Sequence, residues 1–497
     1  MARTLFGTVF LAALAFASPA AETMTADVAV VGGGSAGFAA AWSAATLGSR
    51  VVLIEKERML GGTSTVGGVS SWEPAWGATG VPWRVYERLR RIPGAAGVYE
   101  FAHHCGWPEK GGGPVFPGAL LRTNPALPYS ATLRRHGPGM GDEAWFRANC
   151  HGVIFEPDAM ARTMMDMLLE TGRCRVLLGV SFVDVERNGG RVEALRLSDG
   201  GTVRANVVVD AAGVVCARMG CDMMRGREAK AAFGEPGAPD RANEDVNGAT
   251  LIYRVTPLAD GAEERHALPP GVPEACWWGR FPVAFCCEYP SGDVGINMLP
   301  TISGAQLRGM DDAGAMRECR RRVHAHWRWI QGRWPAFRRY RLKEMASVLA
   351  RRETWRVRGE YVLNQNDLIA GIGGQTHGDI IALADHAMDS HGGGPGGELK
   401  APYGIPYRCL LPLGTSNVLI AGRCASFSSI AASSCRLSRT MMQLGEAAGA
   451  AAHLASARAV PLRAVPAADI RLAMERDLDR AAIRGCPTCE PVLSSCR

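Results

Sequence analysis

A glycine-rich turn near the amino terminus has the spacing that binds a diphosphate. In the pattern Gly-x-Gly-x-x-Gly, the first glycine allows a tight turn, the second lets the backbone approach the phosphates, and the third lets the next helix pack closely on the preceding strand. The amino end of that helix offers its N–H groups and the positive end of its dipole to the anion. The residues predicted to bind in this way are Gly32, Gly34, Ser35, Ala36 and Gly37.

Apolar and helical stretches on either side of this turn indicate how it is held. Residues 27–31 form a largely apolar run that predicts a buried parallel strand, and an alanine-rich stretch then predicts a helix that ends near Leu47. A second strand, residues 50–54, is followed by Glu55, whose carboxylate can accept hydrogen bonds from an adenosine ribose. Strand, turn, helix, strand and acid occur in the order of a dinucleotide-binding unit, which fits both NAD and FAD.

The residues after Glu55 distinguish between the two dinucleotides. The chain continues through Lys56 to the run Gly61-Gly62-Thr63, close behind the second strand. In this respect it resembles FAD-dependent oxidoreductases of the glutathione-reductase-like superfamily. The resemblance implies that FAD is the cofactor, that the paired glycines bring backbone N–H groups near its ribityl and phosphate portion, and that Lys56 and Thr63 belong to the cofactor site.

Later motifs extend the resemblance over nearly the whole chain. Residues 352–354, 358–363, 385–391, 403–412 and 417–424 look like the family generally described as FAD-dependent oxidoreductases. The resemblance implies that four later parts of the chain contact the cofactor. One lies beside the adenine, two follow strands that end in Asp-Ala-Ala-Gly and in Gly-Arg, and the fourth is a late helix. The residues expected there are Val180, Ala212, Gly213, Gly422, Arg423 and Met441. No second glycine pattern of this kind occurs, so no separate NAD domain is expected.

The late helix, predicted to begin near Leu437, carries a narrow face of small residues. These residues recur at helical spacing and predict close packing against the first strand–helix–strand unit; they are Gly445, Ala448, Gly449 and Ala452. In related flavoproteins the amino end of this helix points at the flavin. Its dipole would favour the negative charge of reduced flavin.

These features predict an α/β fold, with a Rossmann-like FAD-binding domain and a discontinuous α+β substrate domain. The FAD-binding domain would comprise residues 24–218 and 407–456, and the substrate domain residues 219–406. Residues 457–497 would form a tail. Residues 70–149, rich in Trp, Gly and Pro, predict an insertion that covers the flavin; its tryptophans, expected to pack the insertion rather than to stack on the flavin, are Trp72, Trp76 and Trp107.

Periodicity locates the larger helices and strands elsewhere in the chain. Helices are predicted over residues 155–172 and 311–334. His324 and His326 on the second of these helices are expected on a solvated surface rather than at a metal site. Strands are predicted at residues 174–180, 181–187, 191–197, 202–209, 248–255 and 294–298.

Three polar residues are candidates for the chemistry. If FAD performs the electron transfer, the protein must orient a substrate and move a proton. An arginine can hold a substrate carboxylate with two hydrogen bonds, and a histidine exchanges protons near neutral pH. The catalytic candidates are therefore Arg352, His391 and Arg436. An ion pair or a helix cap is the structural alternative for each.

The predicted function is that of an FAD-dependent oxidoreductase. It would transfer a hydride between a small organic substrate and N5 of the flavin, with an electron acceptor that the sequence does not identify. Two alternatives stay open. One is a flavin monooxygenase or halogenase that uses reduced FAD and oxygen, and the other is a flavin-binding protein without turnover.

Composition and targeting signals limit which partners and which cellular location are expected. The net charge of +7, from 55 basic and 48 acidic residues, is modest for 497 residues, so nucleic-acid binding is not expected. Residues 1–21 combine Arg3, an apolar stretch and small residues, and predict a secretory signal peptide. The apolar stretch is too short to span a membrane. A secreted or periplasmic protein is expected, or a cytoplasmic one if translation starts at Met24.

The 15 cysteines are an odd number, and an exported protein could pair several of them. The tail residues Cys486, Cys489 and Cys496 are candidates for a disulfide. No histidine accompanies them, and a zinc site would need a second pair of ligands, so no metal site is expected.

Overall fold

The structure is a computed structural model, and it describes residues 22–104, 118–133, 142–353, 355–391 and 396–475. The predicted signal peptide, Trp107 and the three tail cysteines lie outside these ranges, so the statements about them stay predictions. No helix within the described ranges is both long enough and apolar enough to cross a membrane.

The first sheet is built around the glycine turn. Its strands, in order, are Cys174–Leu178, Val51–Glu55, Thr23–Val31, Thr202–Asp210, Arg191–Leu197 and Phe182–Asn188, and Val418–Ile420 also pairs with Thr202–Asp210. The first four strands and Val418–Ile420 are parallel, and the other two form an antiparallel hairpin. Thr23–Val31 is central because its residues from Val28 onward are apolar and buried. The α/β fold and the predicted dinucleotide-binding unit are confirmed.

Two helices pack together on this sheet with little space between them. The first helix is Ser35–Thr46, and the late helix is Ser438–Arg458. A Cβ on Gly445 would lie 2.1 Å from the carbonyl oxygen of Ala36, and a Cβ on Gly449 would lie 2.3 Å from that of Ala40. Only glycine fits at these two positions, which confirms the predicted packing of the small-residue face.

The second sheet combines strands from two distant parts of the chain. Its order is Tyr340–Met345, Tyr253–Pro257, Val294–Met298, Ala284–Glu288, Gly118–Thr123, Ala96–His103, Gly152–Phe155 and Ser71–Trp72. Residues 70–149, predicted to be an insertion that covers the flavin, thus contribute three strands to this sheet. Gly118–Thr123 pairs in parallel with Ala284–Glu288. Tyr99 and Phe101 are buried there against Cys287 and Tyr289, so the segment shares the core of the second sheet.

Besides these, the described ranges contain four small sheets and ten α-helices. Four two-stranded sheets pair Met223–Met224 with Arg356–Val357, Ala249–Thr250 with Ala350–Arg351, Ile380–Ala384 with Tyr403–Pro406, and Met388–Asp389 with Gly396–Gly397. The other α-helices are Val81–Leu89, Glu143–Asn149, Pro157–Glu170, Val214–Met219, Lys230–Phe233, Gly304–Arg308, Asp312–Arg333, Gln365–Gly374, Ser429–Cys435 and Ala467–Met474. Pro157–Glu170 and Asp312–Arg333 confirm the two helices predicted from periodicity.

The expectation of a solvated histidine on helix Asp312–Arg333 is wrong for His326. This side chain is fully buried, and its Nδ1 lies 2.8 Å from the hydroxyl oxygen of Tyr253. The helix turns Val323, His326, Trp327 and Ile330 toward the second sheet, and all four are buried there. His324 lies on another face, where its ring stacks on His266.

Candidate active site

The glycine turn forms an open cradle at the end of the central strand. Gly32 has φ of 99°, a conformation that side-chain-bearing residues rarely adopt. A Cβ on Gly37 would lie 1.7 Å from the carbonyl oxygen of Gly32, so the helix packs on the turn only because residue 37 is glycine. A Cβ on Gly34, in contrast, would meet no atom within 4 Å. The face of Gly34 is therefore open, and no side chain caps the helix that begins at Ser35.

Glu55 and the second glycine pair fold back on this turn. The carboxylate of Glu55 accepts hydrogen bonds from the backbone N–H of Gly33 at 2.5 Å and of Glu57 at 2.8 Å, and burial raises its pKa. Gly61 donates its N–H to the carbonyl oxygen of Gly33 at 2.9 Å. A Cβ on Gly62 would lie 3.2 Å from the Cα of Gly34, so the glycine pair closes one side of the turn. We name Gly32–Gly37 with Gly61–Gly62 the glycine cradle.

Other predicted cofactor residues lie around the cradle and differ in how they are held and in how exposed they are. Val180 donates its N–H to the carbonyl oxygen of Glu55 at 3.1 Å. The Asp210 carboxylate accepts hydrogen bonds from the N–H groups of Ala212 and Gly213, at 3.2 and 2.7 Å, and holds that turn beside Gly32. Lys56 is exposed and pairs with Glu57.

One cavity of about 670 Å³ joins the cradle to the late helix. Leu437 and Ser438 line it at the start of that helix, which also has no side-chain cap. The hydroxyl groups of Ser64 and Ser438 lie 3.0 Å apart and connect the two regions. The predicted cofactor residues that line the cavity are Gly34, Ser35, Ala36, Gly62, Thr63, Gly422, Arg423 and Met441. Those that do not line it are Gly32, Gly37, Glu55, Lys56, Gly61, Val180, Ala212 and Gly213.

All three predicted catalytic residues line the same cavity. They gather around Asp389, whose Oδ2 lies 2.8 Å from Nε2 of His391 and 2.5 Å from a terminal guanidinium nitrogen of Arg436. Arg352 donates to the carbonyl oxygen of Gly248 at 3.2 Å and to the hydroxyl oxygen of Thr250 at 2.9 Å. We name Arg352, Asp389, His391 and Arg436 the charged cluster.

Burial and the charges of neighbouring residues determine the protonation states within this cluster. Asp389 is partly buried, but its hydrogen bond to His391 and the charge of Arg436 hold its pKa well below the usual range. Burial lowers the pKa of His391, and the positive charges of Arg352 and Arg436 act in the same direction, against Asp389. Burial, and then the charge of Arg436, lower the pKa of Arg352 to about 9. At neutral pH the cluster therefore holds a carboxylate, two arginine cations and a neutral imidazole.

Asp389 is a residue that the sequence reasoning missed. It lies inside the family-like segment 385–391, two positions before His391, but no local pattern marks it. Two further polar residues of the cavity were also missed. His386 Nε2 lies 3.1 Å from a carboxylate oxygen of Glu73, which comes from the opposite end of the sequence. Only the tertiary fold brings this pair together.

Aromatic side chains line another part of the cavity. Phe101 contacts Phe146 and Phe285 with ring centroids 5.0 and 6.5 Å apart, and His104 contacts Phe146 at 4.9 Å. Tyr99 packs edge-on against Phe101 at 5.5 Å. We name these five residues the aromatic wall. They form a largely apolar surface beside a charged one, as small-molecule sites commonly have.

Three residues along the cavity carry buried polar atoms that have no hydrogen-bond partner within the described part of the chain. These atoms are Nε1 of Trp72, the hydroxyl oxygen of Tyr99 and Oδ1 of Asn297. Trp72 packs on Phe155. Each of the three atoms is closed to solvent, so none of them contributes to the ligand-binding surface of the cavity.

The residues present fit FAD. The open face of Gly34 leaves room for a diphosphate, and the uncapped helix starts at Ser35 and Ser438 offer N–H groups and positive dipole ends to the same cavity. The helix start at Ser35 suits the diphosphate of FAD, and the helix start at Ser438 suits the negative charge of its reduced ring. Within the described ranges, no group of three or more His, Cys, Asp or Glu residues is arranged to hold a metal ion.

Comparison with known proteins places the chain in a family. A 4-oxocyclohex-2-ene-1-carboxylate 5-dehydrogenase of Sinomonas cyclohexanicum is 45% identical over 53 residues, which span 11% of this chain and only 9% of that protein. A geranylgeranyl bacteriochlorophyll reductase-like protein of Thermoplasma acidophilum is 12% identical over 96% of this chain and 100% of that chain, with a TM-score of 0.43. An L-amino acid deaminase of Proteus myxofaciens is 12% identical over 92% of this chain and 94% of that chain, with a TM-score of 0.39. Residues 27–474 match the family described as FAD dependent oxidoreductase, and the chain therefore belongs to the FAD-dependent oxidoreductase family, with FAD as its cofactor.

Proposed function

We propose that this enzyme transfers a hydride between a small organic substrate and N5 of FAD. One observation carries the proposal: the cavity that the glycine cradle and the late helix share is also lined by the charged cluster and the aromatic wall. Bound FAD supplies the site that accepts or donates the hydride. The protein must then hold the substrate in this cavity and move the accompanying proton.

His391 is suited to the proton transfer. An ionised carboxylate only accepts hydrogen bonds, so Asp389 assigns the hydrogen of the neutral imidazole to Nε2 of His391. Nδ1 then carries the lone pair and can take a proton from the substrate. When His391 gains this proton, the carboxylate of Asp389 stabilises the imidazolium. Arg436 restrains Asp389 from the other side, at 2.5 Å.

Arg352 and the aromatic wall are suited to substrate binding. A guanidinium binds and orients anionic or carbonyl oxygens, and aromatic side chains exclude water from the reacting atoms. The printed name of the Sinomonas relative describes a dehydrogenase, which agrees with hydride transfer as the reaction class. The similar segment is too short a part of that protein to supply its substrate.

Anaerobic spectral titration tests the proposal. The purified FAD-loaded enzyme is mixed, without NAD(P)H, with a panel of hydroxy acids, amines and ketosteroids, and the visible flavin absorbance is followed. Bleaching by one substrate class, slowed in His391→Gln, supports hydride transfer. Bleaching by NAD(P)H alone, with a product that forms only when oxygen is admitted, would identify a monooxygenase or halogenase instead. An enzyme that no reductant of either kind bleaches is a flavin-binding protein.

A further inference from the structure

Arg352 has no counter-ion among the residues that the structure describes. None of the ion pairs within the described ranges includes it, and its described hydrogen-bond acceptors are neutral: the carbonyl oxygen of Gly248 and the hydroxyl oxygen of Thr250. Arg351, its neighbour in sequence, pairs with Asp312 at 2.5 Å. A partly buried cation without a counter-ion is unfavourable, and the lowered pKa of Arg352 reflects this cost.

The two acids whose charges act on Arg352 form no ion pair with it, and each is hydrogen-bonded to another side chain. Asp389 and Glu73 are close enough to act on its charge. Asp389, however, bonds to His391 and Arg436, and Glu73 bonds to His386. Arg423 also lines the cavity without an ion pair in the described ranges, and burial, followed by the charge of Arg436, lowers its pKa. Five arginines line the cavity against three Asp or Glu residues, so its described lining has an excess of positive charge.

The FAD diphosphate is not suited to supply the missing charge at Arg352. The diphosphate belongs at the glycine cradle, beside Gly34 and Ser35. Arg352 instead bonds to Gly248 and Thr250, next to the second sheet, and the charges that act on it are those of Arg436, Asp389 and Glu73. Glu73 also acts on Tyr99 and His104, which places Arg352 and the aromatic wall around the same acid.

We propose that Arg352 is the substrate-anchoring residue, that it binds a carboxylate group, and that the aromatic wall receives the ring or other apolar body attached to that carboxylate. The proposal deepens the proposed function, because it gives the substrate class of the same cavity as cyclic or aromatic carboxylic acids. The planar guanidinium group can donate two parallel hydrogen bonds to the two oxygens of a carboxylate. A bound carboxylate would therefore supply the counter-ion that Arg352 lacks among the described residues.

The test uses benzoate as probe and requires no turnover. Oxidised FAD-loaded enzyme is titrated with benzoate, and binding is read from the change in the flavin spectrum. Benzamide has the same shape without the charge, acetate has the charge without the ring, and phenylphosphonate carries a different anion. Benzoate should bind about 10- to 100-fold more tightly than benzamide, as expected for a hydrogen bond to a charged group, and more tightly than acetate or phenylphosphonate.

Variants separate an anchoring role from a structural one. Arg352→Gln should lower benzoate affinity by about 10- to 100-fold and leave benzamide affinity and FAD content unchanged. Its unfolding temperature without ligand should not fall, because the substitution removes an uncompensated charge. Arg358→Gln is the matched control, since Arg358 is 45% exposed and pairs with Asp222 outside the cavity. Arg352→Lys, which keeps the charge without the fork, should have intermediate affinity.

Three results would overturn the proposal: equal binding of benzoate and benzamide, unchanged benzoate affinity in Arg352→Gln, or tighter binding of phenylphosphonate than of benzoate. A lower unfolding temperature of ligand-free Arg352→Gln would show a structural role instead. Because these readouts need only oxidised enzyme, they are independent of hydride transfer. An enzyme that binds benzoate but is bleached by no substrate would refute the proposed function alone.

Discussion

The glycine cradle and the charged cluster line the same cavity, but the first presents mainly backbone groups and the second presents side chains. The cradle consists of backbone and of residues with no side chain, and its key contacts join positions that are close in sequence, such as Gly32 and Gly37. The cluster consists of polar side chains from three segments, around residues 352, 389–391 and 436, and Asp389 bonds to His391 and Arg436. Steric fit of the backbone therefore determines the geometry of the cradle, and hydrogen bonds and charge interactions determine that of the cluster. Substitutions in the cradle should therefore affect folding and FAD content, and substitutions in the cluster should affect rates and pH dependence.

The largest effect is expected at Gly37. Gly37→Ala places a Cβ 1.7 Å from the carbonyl oxygen of Gly32, which the strand and helix cannot accommodate without moving apart. Overpacking of this kind costs about 1–3 kcal/mol of the free energy of unfolding, and more when backbone must shift. We expect little folded protein and no bound FAD, measured by thermal unfolding and by the ratio of flavin to protein absorbance.

Gly34→Ala is the matched variant, because its Cβ would meet no protein atom within 4 Å. It should fold with an unfolding temperature close to that of the wild-type apoprotein, yet bind FAD weakly, since the methyl group occupies the approach of the diphosphate. Equal FAD content in both variants and the wild type would contradict the assignment of the cradle.

The next effect in size concerns His391. Loss of a positioned acid–base group slows a reaction by about 10²- to 10⁴-fold, so His391→Gln should slow flavin reduction by that factor while FAD content stays unchanged. Stopped-flow absorbance of the flavin under anaerobic conditions measures the rate. His324→Gln is the control, because His324 lies outside the cavity and stacks on His266. A His391→Gln enzyme that is reduced at the wild-type rate would remove this residue from the chemistry.

The same contrast explains what the sequence could predict. The cradle was predictable because its signals are local: glycine spacing, an apolar strand, a helix and an acid follow one another within residues 27–55, and the small-residue face of the late helix repeats at a fixed period. The helix Asp312–Arg333 was predictable for the same reason, with Asp311 as its cap. Backbone geometry of this kind depends on neighbours in sequence.

Features that depend on tertiary contacts were missed. Asp389 has no distinctive neighbours, and Glu73 meets His386 across most of the chain. The strands within residues 70–149 were not recognised, because the second sheet is completed by distant segments: Gly118–Thr123 pairs with Ala96–His103 on one side and with Ala284–Glu288 on the other. His326 looked like a surface residue since its helix is rich in arginine, and only the packing of that helix on the second sheet buries it. Non-local pairing of this kind leaves little trace in local periodicity.

The charged cluster also predicts a pH dependence. Burial lowers the pKa of His391, so the base form is present at neutral pH and is lost as the pH falls through a value below 6.5. The rate of flavin reduction should therefore rise with pH in the acidic range and level off near neutrality. Asp389 raises this pKa and Arg352 lowers it. The acidic limb should move to lower pH in Asp389→Asn and to higher pH in Arg352→Gln, measured as reduction rate against pH. A limb that stays in place in both variants would show that another group titrates.

The smallest effect is expected from a residue that acts through Arg352. The buried hydroxyl group of Thr250 accepts a hydrogen bond from Arg352 at 2.9 Å, and Thr250→Val removes this acceptor with little change in volume. A net hydrogen bond contributes about 0.5–1.5 kcal/mol, so benzoate affinity should fall by about 2- to 12-fold. The reduction rate at saturating substrate should not change, because Thr250 positions the anchor and does not reach the reacting atoms. Thr250→Ser keeps the hydroxyl group and should restore the affinity. If Thr250→Ser weakens binding and Thr250→Val does not, the methyl group rather than the hydroxyl group matters, and the guanidinium is held by packing instead.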